Sequence, residues 1–198
     1  MDIIFASDNA GKIRECATLF SDTSINIIPQ STRQVSNIAE TGLTFVENAL
    51  IKARHACQAT GLPAIADDSG LEVEALGGAP GIYSARFAGD HADSNDNVHQ
   101  LLEQLIDVPL EKRLARFYCV IVFLKYAKDP CPLICEGSWY GHILEAPSGA
   151  GGFGYDPIFW DPKNKKSAAE LSITEKNAAS HRGIALKHLK EKLLSYCR

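Results

Sequence analysis

The stretch A-I-A-D-D-S-G-L-E-V-E-A-L-G-G-A-P-G-I-Y-S-A-R-F-A-G, residues 64–89, joins an apolar run to two adjacent carboxylates. The run from Ala64 to Ala66 predicts a short buried strand. We expect this strand to end at Asp67 and Asp68 and to hold both acids at the rim of a sheet, where ligands of α/β proteins usually bind. Magnesium prefers a few carboxylates together with water, so the pattern indicates a magnesium site. The alternative is an ordinary turn, because Asp-Ser-Gly is also turn chemistry.

Composition narrows the class of protein. A length of 198 residues favours a single domain that spans residues 1–198 and has a substantial core. The hydrophobic fraction of 45% and the charged fraction of 22% are typical of a soluble globular protein, and a net charge of -4 argues against a nucleic-acid binder. We expect no signal peptide and no membrane span, because no basic leader or long apolar run is visible. We therefore expect a cytoplasmic protein with no membrane or nucleic-acid partner.

The cysteines support the same location, because none of them forms a Cys-x-x-Cys pair. We interpret them as reduced thiols of a cytoplasmic protein. A zinc site built from Cys131 and Cys135 is the alternative, disfavoured because no second pair of ligands stands out. The six residues are Cys16, Cys57, Cys119, Cys131, Cys135 and Cys197.

The amino-terminal segment predicts an anion site. A short apolar strand, residues 3–5, leads through the loop S-D-N-A-G-K, residues 7–12, into a helix over residues 13–20. The amino terminus of a helix offers unpaired N–H groups and a positive dipole end, and Lys12 adds a full charge. The P-loop pattern is absent. The alternative is a plain helix cap made by Ser7 or Asn9, with Lys12 in solvent.

A second helix is predicted from Thr44 to Thr60. Thr44 and Glu47 have the spacing of a capping box. The apolar stripe comprises Phe45, Ala49, Ala53 and Ala56.

Lys52 and Glu40 are the site candidates around this helix. Asn48 and Lys52 are one turn apart and share a face. Glu40 lies just before the helix, where a carboxylate is within reach of a metal. The alternative for Glu40 is a surface acid near a helix amino terminus.

The central part of the chain predicts further sheet and helix. We expect strands over residues 25–28, 115–126 and 133–143, the last two forming an antiparallel hairpin, and an amphipathic helix over residues 95–105.

The segment P-S-G-A-G-G-F-G-Y-D-P-I-F-W, residues 147–160, allows a close approach of backbone to a ligand because of its glycines. Phe153 and Tyr155 offer rings that can stack on a base, and Asp156 offers an acceptor. The alternative is a glycine-rich turn beside a hydrophobic strand, residues 157–160.

The last helical region, residues 173–196, begins with a cluster of cations. Lys176, His181 and Arg182 suit an anion or a carbonyl group, and Gly183 predicts a break in the helix or a close contact. The alternative is a solvated helix face.

Together these segments closely resemble the noncanonical purine nucleoside triphosphate pyrophosphatases, the inosine/xanthosine triphosphatase or Ham1-like family. The resemblance covers essentially the whole chain and is specific in its combination and order. One departure is Asp8, where many relatives have glycine. The motifs are S-D-N-A-G-K at 7–12, E-T-G-L-T-F-V-E-N-A at 40–49, A-D-D-S-G at 66–70, G-A-P-G-I-Y-S-A-R at 78–86, G-G-F-G-Y-D-P at 151–157 and S-H-R-G at 180–183.

The resemblance implies an α/β fold with an elongated mixed β-sheet and flanking helices that form two lobes around a nucleotide cleft. It also implies a homodimer and the Mg2+-dependent hydrolysis of ITP, dITP and XTP to the monophosphate and pyrophosphate. Such an enzyme would remove deaminated purine nucleotides from the nucleotide pool.

The resemblance further implies a role for each candidate residue. Asp68 would be the general base and share in metal binding, with Glu40 and Asp67 completing the metal site. The substrate-binding residues would be Ser7, Asp8, Asn9, Ala10, Gly11, Lys12 and Lys52 at the phosphates, Ser69 beside the general base, Phe153, Gly154, Tyr155 and Asp156 around the purine, and Lys176, His181 and Arg182 at the base edge.

Two other readings stay open from the sequence. A Maf-like nucleotide pyrophosphatase would share the general architecture but prefer pyrimidine or modified nucleotides, and the His181-Arg182 pair and the loop at Phe153 argue against it. A nucleotide-binding regulator without turnover is the second, disfavoured because a pure binder needs no acids facing phosphates.

Overall fold

A computed structural model describes residues 1–196, which form a mixed seven-stranded sheet with flanking helices. The sheet order is β2-β1-β3-β4-β5-β6-β7, with β1 parallel to β2 and β3, and β6 antiparallel to β5 and β7. The expected α/β class is confirmed. The strands are β1 Asp2–Phe5, β2 Asn26–Pro29, β3 Ala64–Val73, β4 Leu114–Leu124, β5 Leu133–Ile143, β6 Phe159–Asp161 and β7 Lys166–Ser167. The helices are α1 Ala10–Phe20, α2 Phe45–Thr60, α3 Ser94–Gln104, α4 Ile173–Ala179 and α5 His181–Tyr196.

The chain divides into two compact units. The first unit comprises Met1–Asp68, Cys119–Gly137 and the described part of Arg182–Arg198, and the second comprises Ser69–Tyr118 and Ser138–His181. The expectation of a single domain stays a prediction.

The core of the first unit covers both faces of its strands. Ile3 and Phe5 of β1 join a cluster with residues of α1 and α5, including Phe20 and Leu189. Ile4 lies outside that cluster and is also fully buried. A strand that is buried on both faces is apolar at every position, which explains the continuous run at residues 3–5.

The core of the second unit covers one face of its strands. In β5, Trp139 is buried whereas Tyr140 is exposed, and in β4, Phe117 is buried whereas Arg116 is half-buried. This alternation is typical of a sheet with one face packed on the core and the other in solvent. On the more open face, Arg116 forms an ion pair with Glu72.

The expected end of β3 at the two aspartates is wrong. The strand continues to Val73. Asp67 and Asp68 therefore lie inside β3, and neither the end of the strand nor a turn is found there. Continuation is favourable because Leu71 and Val73 are fully buried in the core of the second unit, which outweighs the local turn preference of Asp-Ser-Gly. The neighbouring β1 ends at Phe5, paired with Ile65. The rim near the acids is therefore the carboxyl end of β1.

The break in the last helical region is also elsewhere than expected. Gly183 lies inside α5, and Ser180 separates α4 from α5 with extended backbone, φ -71° and ψ 151°. Serine is favoured at such positions because its side chain competes with helical hydrogen bonds.

The predicted start of α2 is confirmed, with one difference. Thr44 caps the helix by accepting from the Glu47 amide at 3.3 Å. The returning bond runs to Glu47 Oε2 from the Leu43 amide at 2.8 Å, one residue earlier than in a standard capping box.

The five described cysteines are free thiols, and Cys131 is the exposed one. Cys197 lies outside the described residues. Within residues 1–196, each helix is too short or too polar to span a bilayer.

Candidate active site

Asp67 lies at the centre of a buried ion-pair network in the first unit. Its Oδ2 is 2.7 Å from Lys12 Nζ and 3.5 Å from Arg182 Nε, and Arg182 Nη1 is 3.2 Å from Glu15 Oε2. Burial by itself raises the pKa of Asp67, but the charges of Lys12, Arg182 and Lys52 outweigh burial and hold the pKa well below its usual range. Asp67 is therefore an ionised countercharge to two cations.

Asp68 has different surroundings. Lys52 Nζ is 3.2 Å from Asp68 Oδ1 and 2.7 Å from Glu40 Oε1, and Asn48 Nδ2 donates to Asp68 Oδ2 at 3.3 Å. Burial raises the pKa of Asp68, and the charges of Glu40 and Asp67 act in the same direction against Lys52. A raised pKa brings a carboxylate closer to the range in which a general base works well.

The alternation of a β-strand explains why adjacent aspartates have different partners. Successive side chains of β3 point to opposite faces of the sheet. Asp67 therefore shares the face of Ile65, which packs in the cluster with α1 and α5. Asp68 points to the other face, where α2 supplies Asn48 and Lys52.

The donor set on the Asp68 side fits magnesium. Glu40 and Asp68 converge on one ammonium group, so both are within reach of one cation. Magnesium is usually held by one or two carboxylates, several waters and substrate phosphates. Within the described residues, three or more His, Cys, Asp or Glu side chains do not come together as a metal site. Because magnesium needs only one or two protein carboxylates, the pair of Glu40 and Asp68 suits such an ion.

The loop before α1 forms the helix cap of the alternative interpretation, but Lys12 pairs with Asp67 and does not lie free in solvent. Asn9 Oδ1 accepts from the amides of Gly11 at 2.9 Å and Lys12 at 3.1 Å, and Ser7 Oγ accepts from the Asn9 amide at 3.2 Å. The cap orders the turn from which Lys12 reaches Asp67. Asp8 in the loop and Ala10 at the start of α1 are exposed.

In the second unit, the glycine-rich segment presents one aromatic ring. Phe153 is 48% exposed, and Lys176 Nζ lies 4.5 Å from the centroid of its ring. Asp156 is buried, accepts from the Phe153 amide at 2.7 Å and forms an ion pair with Lys176. Gly152 has φ +76° and no room for a Cβ against Asp156, so this turn requires glycine.

Other predicted residues of the second unit lie deeper. Tyr155 is buried and donates from its hydroxyl to the Ser84 carbonyl at 2.9 Å, and burial raises its pKa. The His181 ring stacks on Phe117 with centroids 4.9 Å apart. Ser69 and Gly154 are half-buried. Of the two predicted stacking residues, Phe153 has an exposed ring and Tyr155 has a buried one.

Two residues that contact the predicted site residues have no role predicted from the sequence, Glu15 and Asn48. Glu15 lies three residues after Lys12 on α1, and that spacing is the signal for its contact with Arg182. Asn48 shares a helix face with Lys52, which indicates a common environment but not its contact with Asp68.

The chain is similar to known proteins over nearly its full length. The model of the Ham1 family matches residues 3–192. A dITP/XTP pyrophosphatase of Shigella flexneri is 58% identical over 191 residues, which are 96% of this chain and 97% of that protein. A dITP/XTP pyrophosphatase of Escherichia coli strain K12 is 56% identical over the same shares of both chains.

A solved structure of a HAM1 protein from Coxiella burnetii superposes with a TM-score of 0.94 and 49% sequence identity, covering 98% of this chain and 99% of that one. The family match, the identities over nearly the full length and the shared structure lead to one assignment. The chain belongs to the Ham1 family.

Proposed function

We propose that this protein is a nucleoside triphosphate pyrophosphatase that hydrolyses dITP, XTP and ITP to the monophosphate and pyrophosphate with Mg2+. The observation that carries the proposal is the convergence of Asp68 and Glu40 on Lys52 in the first unit. The relatives named dITP/XTP pyrophosphatase at 56–58% identity support the reaction class.

Asp68 is the general base in this proposal. It takes a proton from a water molecule whose oxygen attacks the α-phosphorus. The bond from that phosphorus to the α,β-bridging oxygen breaks, and pyrophosphate leaves with the electron pair. Lys12 and Lys52 offset the negative charge of the leaving group.

Glu40 and Asp68 would hold the magnesium ion. The ion, when bound, supplies positive charge to the phosphate oxygens. Asp67 was expected as a third metal acid, but its Oδ2 is occupied by Lys12 and Arg182. We therefore propose that Asp67 acts by holding these two cations.

The family resemblance implies that the glycine-rich segment binds the purine. Phe153 would stack on the base, because its ring is exposed. Lys176 pairs with Asp156, and this pair would order the loop around the base together with Gly154 and Tyr155.

Selectivity would rest on hydrogen-bond donors at the base edge. Hypoxanthine and xanthine carry a carbonyl group at position six where adenine carries an amino group. Donors from His181 and Arg182 would pair with the carbonyl and be left unpaired by adenine. Replacing Arg182 by Lys, which keeps the positive charge beside Asp67, should lower kcat/KM for ITP more than for ATP. An equal fall for both nucleotides would contradict base reading by Arg182.

A pyrophosphate-release assay with Mg2+ tests the proposal directly. The substrates are ITP, XTP, dITP, GTP, ATP, CTP and UTP, and the control is the same protein without Mg2+. Turnover of the first three above the other four supports the proposal, whereas binding without turnover would favour the regulator. A preference for pyrimidine nucleotides would favour the Maf-like alternative, against which the Ham1 match counts.

We also propose a cytoplasmic homodimer, as the family resemblance implies. Light scattering of the purified protein measures the mass, and a value near that of one 21.5 kDa chain would contradict the dimer.

A further inference from the structure

Asn48 is a fully buried polar residue whose side chain uses both ends of its amide. Its Oδ1 accepts from the Gly42 amide at 2.8 Å, and its Nδ2 donates to Asp68 Oδ2 at 3.3 Å. One side chain on α2 therefore contacts the candidate general base and also the loop that follows Glu40.

The orientation of this amide is determined by its two partners. The Gly42 amide is a donor, and the Asp68 carboxylate is an acceptor when ionised. A flipped Asn48 would set donor against donor at Gly42 and acceptor against acceptor at Asp68. Only the observed orientation of the Asn48 amide satisfies both contacts.

The loop from Glu40 to Thr44 is held closely against α2. A Cβ at Gly42 would lie 2.6 Å from Glu47 Cβ and 2.8 Å from Asn48 Oδ1, so the backbone approaches the helix as glycine alone permits. Glu47 also accepts from the Leu43 amide at 2.8 Å. These contacts set the position from which Glu40 reaches Lys52 at 2.7 Å.

We propose that Asn48 is a positioning residue that holds Asp68 and the Glu40 loop in a fixed relation, so that both carboxylates face one cation. This inference rests on the proposed function, because it assigns Asn48 a part in the same site. Residues that support metal-binding carboxylates typically change activity or metal affinity about 10–100-fold when replaced.

The chain offers a matched control in Asn97 on α3. It is also a buried asparagine, accepting from the Ala88 amide at 2.8 Å and donating to the Ala85 carbonyl at 3.2 Å. It holds a loop to a helix in the same way, but its donor meets a carbonyl instead of a carboxylate. Replacing Asn97 therefore measures the effect of losing a loop-to-helix contact that does not involve a catalytic acid.

The experiment compares Asn48→Asp with Asn97→Asp. The new carboxylate at position 48 keeps an acceptor for Gly42 but either repels Asp68 or shares a proton with it, which removes the free base. We expect kcat for dITP to fall about 10–100-fold and the Mg2+ concentration for half-maximal rate to rise about tenfold. The KM for dITP should change less than kcat. Asn97→Asp should lower the Tm comparably and keep kcat within about threefold of wild type.

Hydrogen exchange gives a measurement that does not depend on turnover. Asn48→Leu removes both contacts and should lose the exchange protection of the Gly42 amide, whereas Asn48→Asp should retain it. Protection of Gly42 that is unchanged in Asn48→Leu would overturn the proposed link to the loop.

The outcomes separate this inference from the function on which it rests. Equal kcat and equal Mg2+ dependence in the wild type and Asn48→Asp would overturn the positioning role alone. No pyrophosphate release by the wild type would overturn the proposed function and, with it, the role of Asn48.

Discussion

Asp67 and Asp68 are identical neighbours on β3 whose side chains serve opposite faces of the sheet. On the Asp67 face, two acids and two cations balance, because Glu15 and Asp67 meet Lys12 and Arg182. On the Asp68 face, two carboxylates share one lysine, which leaves a surplus negative charge.

The difference gives the two acids different roles in the proposed site: Asp67 holds cations, and Asp68 is the candidate base. The balanced face lowers the pKa of Asp67 and keeps it ionised, which suits a structural ion pair. Burial, together with the charges of Glu40 and Asp67, raises the pKa of Asp68 against the opposing charge of Lys52. Because adjacent side chains of a strand point to opposite faces, Asp67 and Asp68 have different partners.

The largest expected effect is on the Asp68 face. Asp68→Asn should lower kcat for dITP about 10²–10⁴-fold, the usual contribution of a general base, and leave the Tm within a few degrees of wild type. Steady-state kinetics and calorimetry measure the two quantities. Near-normal turnover by the folded variant would rule out Asp68 as the base.

Asp67→Asn should mainly lower stability, and turnover should fall as well because Lys12 and Arg182 lose the acid that holds them. It leaves the buried Arg182 and Lys12 without their shared acid, and breaking a buried pair costs about 3–5 kcal/mol. The free energy of unfolding from urea titration measures the loss. A change below about 1 kcal/mol would show that the network does not stabilise the fold.

The same contrast predicts a dependence of stability on pH. The pKa of Asp67 is lower in the folded protein than the unfolded value of about 3.9. The contribution of Asp67 to the free energy of unfolding is therefore fully present above the unfolded pKa. It is lost as the pH falls from the unfolded pKa toward the folded pKa.

Asp68, with a raised pKa, contributes in the opposite direction. The wild type minus Asp67→Asn difference isolates Asp67 and should shrink below pH 4. A difference that is constant between pH 6 and pH 2 would contradict the lowered pKa.

The second acid of each face gives a smaller, paired test. Glu40→Gln should raise the Mg2+ concentration for half-maximal rate about tenfold, because one of two metal carboxylates is lost. Glu15→Gln should leave that concentration unchanged and destabilise the protein by about 1 kcal/mol or less, because Glu15 is partly exposed. Equal Mg2+ dependence in the two variants would remove the distinction between the faces.

The sequence was sufficient for features that depend on local pattern. The apolar run at residues 3–5, the Thr44 cap and the strand Leu133–Ile143 follow from burial periodicity and capping chemistry. The family could also be identified, because several specific motifs occur in one order.

Contacts between distant residues were decided by the tertiary structure. Asp-Ser-Gly favours a turn locally, but burial of Leu71 and Val73 keeps β3 extended. Tyr155 has the chemistry of a stacking residue, yet its ring is buried and its hydroxyl donates to Ser84. The order of residues cannot give such outcomes, because they depend on which side chains are brought together across tens of residues.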